Sequence, residues 1–167
     1  MNEGFGLATN SSGPASPELI IDESTPWVAA GDGDLELLKK ALSILNVPVN
    51  AADSNGFTFV HAAAAYNQLH VLRWLVHQEG CNVNVQDSDG DTPLHHCDRV
   101  DAARVLVEEG GAIVSLPNND GMTALQQKVE ELKELEQDEE VDRNDEDFIQ
   151  LKELVKYLTN YNKNPQE

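Results

Sequence analysis

Within 87-DSDGDTPLHHCD-98, four aspartates, two adjacent histidines and a cysteine lie close enough in sequence to do chemistry. Asp87, Asp89 and Asp91 alternate, with Asp98 in twelfth position, the register in which a calcium loop places its ligands. That loop also needs a glycine at its sixth position and a bidentate glutamate at its twelfth. Here those places hold Thr92 and Asp98. His95, His96 and Cys97 are types that bind transition metals or serve as base and nucleophile, but neighbouring helical side chains diverge by about 100°, so the three cannot converge on one ion. No G-x-S-x-G, glycine-rich phosphate loop or H-E-x-x-H occurs anywhere in the chain. No catalytic, metal-binding or cofactor-binding residue is therefore expected.

The elements that must carry these residues show up as a repeat. The stretch 53-DSNGFTFVHAAA-64 lies over 87-DSDGDTPLHHCD-98, pairing Asp53 with Asp87, Gly56 with Gly90, Thr58 with Thr92 and His61 with His95. A third copy, 118-NNDGMTALQQ-127, keeps Gly121 and Thr123. Upstream, 27-WVAAGDGDLELLKKAL-42 aligns with 61-HAAAAYNQLHVLRWLV-76, so 31-GDG-33 reads as a turn between helices, matching 65-AYN-67, and not as a nucleotide loop. In each unit an Asp/Gly turn supplies a positive-φ tip at Gly56, Gly90 and Gly121. A first helix then opens at Thr or Thr-Pro, and a second follows with apolar spacing such as Leu69, Val71, Leu72, Leu75. Neither helix can bury its apolar face alone, so neighbouring units must stack.

G-x-T-P-L-H followed by small residues, recurring with a period near 33, resembles the ankyrin repeat, and the chain as a whole is similar to small fungal ankyrin-repeat proteins. The resemblance implies an all-α solenoid of about four helix-turn-helix units with hairpin fingers. The units are expected at about 22–55, 56–89, 90–120 and 121–162, between an N-terminal tail 1–20 and a C-terminal tail 163–167. It further implies that Thr58, His61, Thr92 and His95 are structural, each histidine bonding its own turn and nearby backbone. Fingers and first helices would form a protein-recognition face: Ser54, Asn55, Phe57 and Phe59; Asp89, Asp91 and His96; Asn119, Asp120 and Met122, extended by Tyr66 and Asn67. Either Phe57 or Phe59 is expected to be exposed as an anchor, with Trp27 and Trp74 in the core.

Two departures stand out. Unit 3 shortens the 16 residues 61–76 to the 13 of 95–107 and loses most of its inter-helix turn. Unit 4 inserts 130-EELKELEQDEEVDRNDED-147, expected as a solvated helix and loop, before a capping helix with Phe148, Leu151, Leu154, Val155 and Leu158 on one face.

Charge narrows the partners. Thirty acidic against 11 basic residues give −19, which repels phosphate backbones and anionic lipid, so no nucleic acid or membrane partner is expected. Residues 121–147 hold 11 acids and three bases. A basic protein client, such as a ribosomal protein or histone tail, fits, with the chain as its escort or adaptor. The alternative is a regulatory subunit or inhibitor docking on an enzyme or larger assembly. Two cysteines and no signal-like segment give the expectation of the cytosol or nucleus, and a monomer is expected.

Overall fold

A computed structural model describes residues 20–163. The tails expected at 1–20 and 163–167 lie almost wholly outside those residues. The elements, in order, are α1 (Thr25–Asp32), α2 (Leu35–Leu45), α3 (Phe59–Ala65), α4 (Leu69–Val76), α5 (Val100–Arg104), a π-helical turn Val105–Glu109, α6 (Ala124–Gln137) and α7 (Glu146–Lys163). None of these helices is long and apolar enough to cross a membrane.

Local sequence explains most boundaries. Pro26 sits in the first turn of α1, and Gly33 closes that helix in the left-handed region. Asp34 caps α2 by accepting from the Leu37 amide, and α2 ends at Asn46 with φ 52°. Thr58 and His61 form a reciprocal capping box on α3, as do Thr123 and Gln126 on α6. The apolar stripes then bury as spaced: Leu38 and Ala41 from α2, Val71, Leu72 and Leu75 from α4. Leu154 and Leu158 of α7 join the same continuous core, so the C-terminal helix closes the open end of the stack.

Unit 3 departs from expectation. Thr92-Pro93 opens no α-helix: residues 93–96 make only a turn, and the chain runs through Asp98 and an extended Arg99 (φ −128°) into α5. Three missing residues leave no length for both a helix and a link. The second helix compensates by widening to π geometry over Val105–Glu109, which puts Val105, Leu106 and Val107 all into the core in succession. In unit 4, α6 absorbs the first half of the acidic insert, and 138–145 form the loop to α7.

Candidate recognition surface

Each finger is built around one side-chain oxygen. Asp53 Oδ1 accepts from the Asn55 and Phe57 amides, Asp87 Oδ1 from Asp89 and Asp91, and Asn118 Oδ1 from Asp120 and Met122. The tips Gly56, Gly90 and Gly121 have φ near +78°, where an L side chain is strained. Successive fingers are stitched by Ser88 N donating to Asn55 O (2.7 Å) and Asn119 N to Asp89 O (3.0 Å). They approach so closely that a Cβ on Gly90 would lie 2.6 Å from the Asn119 nitrogen.

Behind the fingers runs a relay of ring nitrogens. His61 Nδ1 accepts from the Thr58 amide while its Nε2 donates to the Asp91 carbonyl of the next finger (3.1 Å). His95 repeats this with Thr92 and the Met122 carbonyl (3.1 Å). In unit 1 the same slot holds Trp27, whose Nε1 donates to Phe57 O at 2.7 Å. The alignment places Trp27 over His61, but only the contact with the Phe57 carbonyl shows the indole performing the structural histidine's task. In unit 4, Gln126 keeps the cap through Oε1 and the Thr123 amide (2.9 Å), where the relay ends. Burial dominates the titration of both histidines and pushes them below the ordinary imidazole range, so they sit neutral.

The aspartates of 87-DSDGD-91 are engaged with the protein itself. Asp87 Oδ2 pairs with His96 Nε2 at 2.8 Å, and Asp91 Oδ1 accepts from Asn118 Nδ2. Burial would raise Asp87, but His96 and the two finger amides outweigh it and hold the carboxyl below its usual range. Sequence reasoning missed one convergence that spans two units: His61, Asp87 and His96 place ligand-type atoms within 4.8 Å of one another. His61 cannot serve there as a ligand while folded. The Thr58 amide can only donate, so Nδ1 must accept, and Nε2 carries the proton given to Asp91 O. The rings of Phe57, His61 and His96 instead pack together, with centroids 5.1–5.4 Å apart.

Of the residues expected on the recognition face, Ser54, Asn55, Asp89, Asn119 and Asp120 are exposed, while Phe57, Asn67, Asp91, His96 and Met122 are half-buried. Phe59 is not on it. Its side chain is fully buried, 4.6 Å from the Trp27 ring, because the residue after the Thr cap faces the preceding unit, where the large indole demands a partner. Tyr66, at the far end of α3, is 68% exposed. Trp27 and Trp74 are half-buried against the core, with the Lys39 ammonium 5.7 Å over the Trp74 ring. Cys97 is buried and its thiol is pushed up to about 12 by desolvation, which makes it inert as a nucleophile.

A cleft of about 520 Å³ opens at the other end of the first helices. Tyr66 and Asn67 of unit 2, Asp98 and Arg99 of unit 3 and the insert of unit 4 meet there. Arg99 bridges to Glu146 (2.8 Å) and Asp147 (3.1 Å) at the start of α7. Lys128, buried in α6, bonds Asp98 and Glu131. Burial disfavours its charge, but the two carboxylates outweigh that and raise its pKa.

The family described as Ankyrin repeats (3 copies) matches residues 26–114. An ankyrin repeat-containing protein of Schizosaccharomyces pombe is 39% identical over 108 residues, 64% of this chain and 51% of its own length. The mouse RelA-associated inhibitor is 33% identical over 101 residues, 59% of this chain and 12% of its own. Mouse protein phosphatase 1 regulatory subunit 12A is 44% identical over 57 residues, 32% of this chain and 5% of its own. The chain thus spans about half the length of the first relative and a small part of the others.

Proposed function

Since the chain belongs to the ankyrin-repeat family, a protein–protein interaction module generally without catalytic activity, we propose that it is an escort or adaptor whose finger face takes a basic client protein. One observation carries this reading. The finger segments 52–58, 86–92 and 117–123 contain five aspartates, Asp53, Asp87, Asp89, Asp91 and Asp120, and no lysine or arginine. The carboxylates of Asp53, Asp87 and Asp91 are held by finger amides, His96 and Asn118, and among the described residues no lysine or arginine pairs with any of the five. A face of one sign on a chain of net charge −19 attracts a basic surface over about a Debye length and speeds its encounter. The same reading carries a monomer in the cytosol or nucleus, in keeping with the free thiols Cys81 and Cys97.

The test is to capture partners with the full chain at low salt, identify them, and measure association between about 50 and 300 mM salt. A basic client should associate about tenfold or more slowly at the higher salt, and Asp89→Asn/Asp120→Asn should flatten that slope. A partner whose association rate ignores salt would defeat the proposal. It would favour a second reading, supported by the names of two relatives, RelA-associated inhibitor and protein phosphatase 1 regulatory subunit 12A, in which the chain is a regulatory subunit or inhibitor docked by shape.

A further inference from the structure

The cleft beneath Tyr66 owes its existence to the departures from the repeat. In unit 2 the link between helices runs through residues 66–68, with Asn67 in the left-handed region at φ 53°. In unit 3 the equivalent link has lost three residues, so beside Tyr66 the stack has a gap where a first helix and its turn would sit. Unit 4 does not fill the gap but walls it. Lengthened α6 brings Leu135, the loop brings Val141, and the start of α7 brings Phe148.

The lining is of two kinds. Tyr66, Leu135, Val141, Phe148 and Leu151 give it an apolar floor and lip. Around them stand five carboxylates, Asp98, Glu131, Asp142, Asp145 and Asp147, against one guanidinium, Arg99. Arg99 is consumed by Glu146 and Asp147, and Lys128 by Asp98 and Glu131. Among the described residues, the Asp142 carboxylate accepts only from Asn144 of its own loop, and that of Asp145 only from the Asp147 amide in the first turn of α7. Excess negative charge therefore remains at the rim of a recess whose floor is apolar. A solvated spacer would need no such floor.

We infer that this cleft is a docking site for a basic, partly apolar segment of a partner protein. A lysine or arginine meets Asp142 and Asp145 while an adjacent apolar side chain settles against Tyr66, Leu135 and Val141. Aromatic and aliphatic contact supplies the affinity, and the rim charge supplies the selection for a cation. The inference rests on the reading of a basic partner but assigns it a second surface, separated from the fingers by the length of α3, about 10 Å for seven residues.

A fluorescein-labelled peptide of four Arg-Leu pairs, titrated into the full chain, tests it, with four Arg-Ser pairs and four Glu-Leu pairs as controls. The Arg-Leu peptide should bind at least about fivefold more tightly than either control, because both chemistries are needed. Asp142→Asn/Asp145→Asn and Tyr66→Ala change exposed side chains, so the melting temperature should hold while affinity falls at least about fivefold. Asp89→Asn/Asp120→Asn removes the same charge from the fingers and should leave peptide affinity within about twofold. Equal losses in the two double variants, or unchanged binding in the cleft variants, would overturn the inference. A loss confined to the finger variant would do so as well, while leaving the proposed finger function standing. If the cleft variants alone lose the peptide but the captured partner ignores salt, the cleft stands and the finger proposal fails.

Discussion

Residues 53–64 and 87–98 share a finger and a histidine relay, yet one continues into a helix and the other does not. Both fingers hang on an aspartate Oδ1 that takes two amides, both tips turn at glycine, and both histidines bond their own threonine and the next finger. After that point unit 2 carries α3 on through four alanines, whereas unit 3 makes one turn and extends at Arg99. The finger is a local device, closed by hydrogen bonds spanning a few residues. The helix is a negotiable spacer, whose length depends on how many residues remain before the next element must begin.

The largest effect expected from pressing on this comparison lies between the two phenylalanines of the regular unit. Phe59→Ala should cost about 3–5 kcal/mol, since the ring is fully buried beside Trp27. Phe57→Ala, at a half-buried ring packed on His61 and His96, should cost about 1 kcal/mol. Denaturant melts of the two variants check this. Similar values for both would mean that unit 2 tolerates a hole at its boundary with unit 1 and is less regular than it looks.

Next come the relay and the tips. His95→Ala should lower stability by about 2–3 kcal/mol, because the Thr92 amide and the Met122 carbonyl lose their partner in a buried place. Gln126→Ala, whose side chain is exposed and makes only the cap, should cost about 1 kcal/mol or less. Gly90→Ala should exceed Gly121→Ala. Both pay for a positive φ of about 1–2 kcal/mol, but only at Gly90 does the new Cβ meet a neighbouring finger, at 2.6 Å. Equal costs at the two tips would mean that the second and third fingers are not stitched together.

Titration distinguishes the relay from the rest of the molecule. His61 and His95 have folded-state values below those of the unfolded chain, so the unfolded chain binds protons first as the pH falls. Stability should therefore be full above about pH 7 and decline below about 6.5, with a slope of up to about 1.4 kcal/mol per pH unit for each histidine. Asp87, whose folded value is lowered, adds a further loss only as the pH falls below the ordinary carboxylate range. Equilibrium melts at pH 7.5, 6.5 and 5.5 should show this slope, and a flat profile would mean the two rings are not held neutral.

The smallest effect belongs to the acidic insert. Changing Glu134, Glu136, Asp138, Glu139 and Glu140 to Gln or Asn alters only exposed side chains, so the melt should shift by within about 0.5 kcal/mol per site. Association with a basic client should slow and its salt dependence flatten. A large destabilisation would instead show that the helical half of the insert supports α7, to which Glu136 reaches through Lys152 at 3.9 Å.

Sequence alone was enough for everything that recurs over short range. The Asp-x-x-Gly-x-Thr-x-x-His spacing identifies fingers, caps and structural histidines because all their bonds close within one unit or onto its neighbour's matching atom. It also locates the surplus charge, which needs only counting. It could not say that Phe59 turns inward, that Trp27 stands in for a histidine, or that a turn replaces the first helix of unit 3. Those outcomes depend on what the adjoining unit offers across the stack: an indole to pack against, a carbonyl to receive a proton, too few residues to span a gap. The cleft is the extreme case. Residues 66–67, 98–99 and 131–151 share no motif, and they meet because a deletion in one unit and an insertion in the next fall on the same side of the solenoid. That side is set by packing, since an apolar stripe on α7 must find the core before the loop ahead of it has any fixed place.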